Sequence, residues 1–180
     1  MAPPEMTMAA DDLTSKLTEP IAPVKAPLWA WSVATVCGVG HLRPGPGTWG
    51  SLTTVLLWWS LGRLAPVAAQ PWIAAVVALI VTAIGIPAAT LVARGAGRKD
   101  PQQVVIDEVA GQMIALVGAP LSWKPLLVGF ILFRAFDMTK PPPVRQLERL
   151  PEGTGIVVDD IGAGIYALII MQFISWKFGW

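Results

Sequence analysis

Charge is scarce in this chain. Only 14% of its 180 residues are charged, against about 25% in an ordinary soluble domain. Such a deficit needs either a very large core or a non-aqueous solvent. A chain this short does not build so large a core, so the bilayer is the simpler solvent. Net charge is +1, which provides no field to attract nucleic acid, and no basic stripe with interleaved aromatics occurs. A single cysteine, Cys37, excludes an intrachain disulfide. It sits in the apolar run 31–39 without a basic neighbour, which predicts a small buried hydrophobe and not a reactive thiol. With a single histidine, His41, a zinc site built from His and Cys is excluded as well. Acidic residues are missing altogether between Glu19 and Asp100.

Apolar residues fill the space that charge leaves. They make up 54% of the chain, and mean hydropathy is +0.58. Tryptophan is abundant, with nine in all. Indole favours membrane interfaces, where its N–H stays wet while the ring is buried. Trp29, Trp31, Trp49, Trp58, Trp59, Trp72, Trp123, Trp176 and Trp180 lie mostly at or near the ends of apolar runs. A soluble core rich in Trp is the alternative, and the length of the runs weighs against it.

Length allows one domain. Residues 1–26 are rich in Pro and Ala and lack the basic start and apolar core of a secretory signal, so a disordered tail is expected there. Residues 27–180 form the helical membrane domain. Its first stretch, 27–40, is apolar but too short to span and suits an interfacial or re-entrant helix. Long runs follow at 49–69 and 72–93, the second without a charge and with Pro87 as an expected kink. A third run, 104–121, carries Asp107 and Glu108 near its start. A short fourth, 125–136, leads into Asp137. The last, 161–180, begins directly after Asp159 and Asp160. The expectation is an all-α, multipass membrane protein of about four to five apolar helices, with runs three and four able to form a hairpin that does not fully cross.

With a cytoplasmic N-terminus and five crossings, ten of the thirteen basic residues fall on the cytoplasmic side, a clear positive-inside bias. The same topology brings the turn 44–50, Asp107 with Glu108, Asp137, and Asp159 with Asp160 to cytoplasmic helix ends. Carboxylates at membrane depth cost roughly 2.5–3.5 kcal/mol each on insertion scales, and they persist when they face one another, a cation or a water-filled cavity. Oxygen ligands from separate helices suit a hard cation such as magnesium. The competing reading is solvated helix N-caps, which suits Asp159 and Asp160 best because they stand just before an apolar run. Helical spacing puts Arg134 and Asp137 on one face, with Lys140 a turn further on, before Pro141–Pro143 end the helix. Arg145 and Arg149 follow. Such cations suit a phosphate ligand, or else form a positive-inside loop with none. The turn Gly45-Pro46-Gly47-Thr48 precedes a long run and can present free N–H groups to an anion; alternatively, Thr48 or Ser51 only caps the helix.

Four segments resemble one family. They are 41–52 (His-Leu-Arg-Pro-Gly-Pro-Gly-Thr-Trp-Gly-Ser-Leu), 105–112 (Val-Ile-Asp-Glu-Val-Ala-Gly-Gln), 133–145 and 153–167. In that order and spacing the chain, over about residues 38–178, resembles phosphatidylglycerophosphatase A. The resemblance implies an all-helical, magnesium-dependent phosphatase of the bacterial inner membrane. Its phospholipid substrate is phosphatidylglycerophosphate, its products are phosphatidylglycerol and phosphate, and its site faces the cytoplasm. The acidic motif falls on Asp107 and Glu108. The Arg-x-x-Asp-x-x-Lys-Pro motif falls on Arg134, Asp137, Lys140 and Pro141, the Asp-Asp motif on Asp159 and Asp160, and the Pro-Gly-Thr turn on Pro46, Gly47 and Thr48. Arg43 stands where the family has Ser, the gap from Pro44 to Pro46 is one residue short, and Lys-Pro is followed by Pro-Pro instead of Trp-Pro. The implied catalytic centre is Asp107, Glu108, Asp137, Asp159 and Asp160, with magnesium on Asp107, Glu108, Asp137 and Asp160. Arg134, Lys140, Arg145, Gly47 and Thr48 are expected to hold the substrate phosphate.

Other chemistries are poorer fits. A phosphohistidine route needs more than a lone His41, a phosphocysteine route needs an activated thiol, and no Gly-Lys-Ser/Thr completes a P-loop. A lipid-alcohol phosphotransferase would use similar carboxylates, but its dense Asp-Gly and Ala-Arg pattern is missing. A small cation or proton carrier would also use buried acids.

Overall fold

A computed structural model describes residues 25–180. The expected disordered tail, 1–26, lies almost wholly outside the described residues. Those described form helices and turns, with no strand among them. Helix α1 (Leu28–Ala34) follows Pro27 and ends in a left-handed turn through Val36, Cys37 and Gly38. Cys37 is exposed there. The expectation of a buried cysteine fails because α1 stops at Ala34 and the chain turns its thiol outward. Cys37→Ser is still expected to keep most activity and stability, as assay and melting in detergent would show, since no described hydrogen bond involves the thiol.

Helix α2 (Pro46–Leu61) starts where Gly45 adopts a left-handed conformation and Pro46 takes the first helical position. Neither Thr48 nor Ser51 caps it; the Ser51 hydroxyl donates back to the Gly47 carbonyl at 3.0 Å. The run 49–69 does not continue as one helix. It breaks at Gly62 into two short 3-10 turns, Gly62–Leu64 and Val67–Ala69. Helix α3 (Gln70–Ala96) absorbs Pro87 internally and ends at left-handed Gly97, whose N–H donates to the Arg94 carbonyl while that of Arg98 donates to Ala93. Helix α4 (Ile106–Ala115) has only 10 residues, about 15 Å at 1.5 Å per residue. Helix α5 (Trp123–Thr139) stops at Lys140, which is left-handed, before the three prolines. A short α6 (Val144–Leu147) leads to α7 (Glu152–Phe178).

Among the described residues, two helices are long and apolar enough to cross a membrane, Val67–Ala96 and Glu152–Phe178. The other apolar runs form shorter helices: α2 has 16 residues and α5 has 17. Their outer faces are nonetheless apolar. Leu56 and Leu57 of α2, Leu79 and Ile80 of α3, Ile131 of α5 and Ile169 of α7 are all exposed. Large exposed apolar side chains thus occur on all four of these helices.

Helix α4 is the hub, packing against α2, α3, α5 and α7. Small residues allow the close approach: Ala30, Ala34, Ala88, Ala89, Ala110 and Val157 form one buried cluster. Helices α4 and α7 cross with backbone close to backbone. A Cβ on Gly164 would run into the Gly111 carbonyl, and one on Gly111 would lie 2.5 Å from both the Asp160 carbonyl and the Phe133 ring. Phe133 is fully buried and cannot yield. Gly111→Ala is therefore expected to destabilise the protein by about 1–3 kcal/mol, the usual range for overpacking, measured as a lower melting temperature in detergent.

Candidate active site

Successive helices run in opposite directions, so unlike ends meet at one end of the bundle. The N-termini of α2, α4 and α7 join the C-terminus of α5 and the loop after α3 around a cavity of about 420 Å³. Asp107 and Glu108 enter from the first turn of α4. Arg134, Asp137 and Lys140 come from the last turns of α5 and its cap, and Asp159 with Asp160 from α7.

Asp159 and Asp160 are not helix caps. Helix α7 begins at Glu152, so Gly153-Thr154-Gly155 is helical and the Asp pair lies two turns inside. The early start has a packing reason: a Cβ on Gly153 would meet the Ile86 carbonyl and Thr90 of α3, and the Gly153 N–H donates to the Thr90 hydroxyl at 3.2 Å.

Each carboxylate has its own surroundings. Asp107, Glu108 and Asp160 can each offer one oxygen, with all three oxygens within 4.8 Å of one another. Asp107 Oδ1, Glu108 Oε2 and Asp160 Oδ2 are buried and find no hydrogen-bond donor among the described residues. Buried anionic oxygens without a partner are costly and call for a cation. Asp137 is nearby but engaged, with Oδ2 at 2.6 Å from Arg134 Nη1. Asp159 is engaged at both oxygens. Oδ2 accepts from Lys140 Nζ at 2.6 Å, and Oδ1 accepts from the Asp160 N–H at 3.0 Å.

The cations are held in place by these acids. Arg134 Nη1 also lies 3.7 Å from Glu108 Oε1, and Arg134 Nε has no acceptor among the described residues. Lys140 stands between Asp159 and Glu148, the latter at 3.3 Å. Burial alone would lower the Lys140 pKa, but the hydrogen bond and charge of Asp159, helped by Glu148, raise it above its ordinary value, so the amine stays protonated.

Gly47 meets this centre at the start of α2. A Cβ there would overlap the Glu108 carboxylate and approach Arg134 Nη1 at 3.1 Å. The N–H groups of Thr48 and Trp49 both donate to the Gly45 carbonyl, so the expected anion cradle narrows to Gly47. Gly47→Ala is expected to lower turnover about 100-fold, on the scale of a displaced group in an oriented site, in a phosphate-release assay. A decrease of less than twofold would place the Glu108 carboxylate elsewhere.

The other two expected phosphate residues lie outside the cavity wall. Thr48 is exposed on the far side of its turn, and Arg145 is exposed on α6. In their place the wall includes Lys99, Asp100, Gln102 and Glu148. Lys99 Nζ donates to the Glu148 carbonyl at 3.0 Å, tying the loop after α3 to that after α6. None of these four lies in a motif or at the edge of an apolar run, so periodicity and hydropathy did not single them out. Only the absence of acids before Asp100 hinted at it.

The four segments that bring Gly47, Asp107, Glu108, Arg134, Asp137, Lys140, Asp159 and Asp160 to this wall also carry the family resemblance, and the family model of phosphatidylglycerophosphatase A matches residues 32–175. The chain belongs to the phosphatidylglycerophosphatase A family. A phosphatidylglycerophosphatase A from Haemophilus influenzae is 38% identical over 77% of this chain and 84% of its own length. One from Escherichia coli is 34% identical over 74% of this chain and 77% of its own. A candidate phosphatidylinositol-3-phosphatase from Bacteroides thetaiotaomicron is 35% identical over 82% of this chain and 94% of its own length. No solved structure matches the chain. The matched span begins within α1 and ends near the end of α7, so it contains every cavity residue named above. The family is one of lipid phosphatases, and the chain is an enzyme of that class.

Proposed function

We propose that this protein is a magnesium-dependent phosphatase of the bacterial inner membrane that removes the terminal phosphate of phosphatidylglycerophosphate, with its cavity open to the cytoplasm. One observation carries the chemistry: Asp107, Glu108 and Asp160 each bring a carboxylate oxygen within 4.8 Å of the others, in a cavity that Arg134 also lines, and each has a buried oxygen with no hydrogen-bond partner among the described residues. An all-oxygen, multiply charged set fits a hard divalent cation. Family membership supports the lipid substrate. The apolar outer faces and the ten-to-three bias of basic residues support embedding and orientation.

In this reading, hydrolysis forms a bond from a water oxygen to phosphorus and breaks the bond from phosphorus to the glycerol oxygen. One water proton stays on the released phosphate and the other reaches the leaving alkoxide. When bound, magnesium supplies positive charge against a phosphoryl oxygen. Asp107, Glu108 and Asp160 hold the ion. Arg134, fixed by Asp137 and Glu108, directs its remaining N–H groups at phosphoryl oxygens, as a planar fork does well. Lys140, kept protonated, adds charge at the rim and is positioned by Asp159. Gly47 leaves room for the Glu108 carboxylate.

The test compares substrates. Purified protein in detergent with magnesium is given phosphatidylglycerophosphate, phosphatidylinositol 3-phosphate or glycerol 3-phosphate, and released phosphate is measured. The first is expected to exceed the others at least tenfold in kcat/KM. Preference for the phosphoinositide would transfer this chain to the activity named for its Bacteroides relative, and release from none would overturn the phosphatase reading.

A further inference from the structure

Beside the catalytic cavity runs a second hollow, of about 460 Å³, between α2, α3 and α4. Unlike the first, it is almost wholly apolar. Leu57 and Trp58 of α2, Ile73 and Val77 of α3, and Val109 and Met113 of α4 form its sides. Its upper end lies on the two helices that carry Glu108 and Gly47, although the two hollows share no lining residue. Val109 directly follows Glu108 on α4, and Thr53 and Thr54 lie about two turns below Gly47 on α2. At its lower end α2 stops at Leu61, and the turn that follows lines the hollow through Gly62, Leu64 and Ala65. From Thr53 to Leu61 the groove runs about 12 Å at 1.5 Å per residue.

We infer that this groove holds an acyl chain of the lipid whose phosphate occupies the cavity. The inference rests on the lipid-phosphatase reading above. A face that only meets bulk lipid needs no concave wall. A groove that starts beside Glu108, descends along an apolar wall and ends at a turn fits one hydrocarbon chain attached to a headgroup at that carboxylate. A second hollow on the opposite flank of α2, lined by Leu127 and Phe130 of α5, has no such turn in its wall and does not reach α4.

The groove allows substrate contacts remote from phosphorus to orient the reacting group, so filling it should hurt acylated substrate alone. Val77→Trp and Thr53→Trp are expected to lower kcat/KM at least tenfold on long-chain phosphatidylglycerophosphate. Turnover of the deacylated, water-soluble headgroup should stay within twofold of the unsubstituted protein, which also shows that the variants are folded. A phosphatidylglycerophosphate bearing a diazirine in mid-chain should label Thr53, Leu57 or Val77. Unimpaired long-chain turnover in both variants would overturn the inference. So would labelling confined to Leu127 and Phe130, or cross-links joining two copies of the chain through this groove. Failure of the unsubstituted protein to hydrolyse any substrate would sink the catalytic reading, while the labelling pattern would still decide the groove.

Discussion

Stripping divalent cations with EDTA is expected to take phosphate release to background, and added magnesium to restore it. The oxygens of Asp107, Glu108 and Asp160 carry negative charge into a space with few donors. Arg134 cannot neutralise all of it, since it already serves Asp137 and Glu108. On the proposed function, a bound cation would offset the negative charge that otherwise opposes entry of the phosphate dianion. Manganese, which accepts the same oxygen ligands, should substitute in part, and zinc poorly, because no histidine or cysteine lines the cavity. The decisive measurement is phosphate release from the lipid after chelation and dialysis. Full activity in a metal-free preparation would remove the ion from the chemistry and leave the unpartnered oxygens to be explained by protonation.

Asp160→Asn is expected to cost about a thousandfold in kcat, near 4 kcal/mol of transition-state stabilisation at 1.36 kcal/mol per tenfold. Stability in the metal-free state should hold or rise. The side chain keeps its volume, loses a buried charge and no longer repels the neighbouring carboxylates. The same variant should need more magnesium for half-maximal activity, and this distinguishes a lost ligand from a disturbed fold. Asp159→Asn should behave differently. Both oxygens of Asp159 are engaged, by Lys140 and by the Asp160 N–H, so its loss should release Lys140 and weaken substrate binding with a smaller effect on magnesium. Should Asp160→Asn turn over normally with an unchanged magnesium requirement, Asp107 and Glu108 alone would have to hold the ion.

The pattern of acids along the chain was enough to bring out the centre. Five carboxylates at the edges of apolar runs, in a chain otherwise short of charge, have few reasons to persist in a bilayer except one another and a cation. Alternation of apolar runs then assigns their side. Both inferences depend on hydropathy and count alone, which are properties of sequence. The motif order around Asp107, Arg134 and Asp159 carried the family.

Tertiary packing decided the rest. Hydropathy put the last helix at 161, after Asp159 and Asp160. In the structure it starts at Glu152, because Gly153 and Gly155 allow backbone-to-backbone contact with α3 and with the Leu150 carbonyl. Glycine reads as a turn in sequence and as a contact surface in a packed bundle, and only the neighbour distinguishes them. Likewise, run 49–69 looks long enough to cross, but α2 ends at Leu61, and run 104–121, which could pair with 125–136 in a hairpin that does not fully cross, forms a helix of only 10 residues. Apolar composition extends through turns that are sheltered by other helices or covered by an apolar surround. The division of labour among the acids was also invisible beforehand. Asp107, Glu108 and Asp160 are left open while Asp137 and Asp159 are tied to cations, and that depends on side-chain distances across three helices. Composition and spacing determined that carboxylates would gather at one end of a helical bundle. Which of them remain free to hold an ion was set by the ion pairs that form once α4, α5 and α7 have packed.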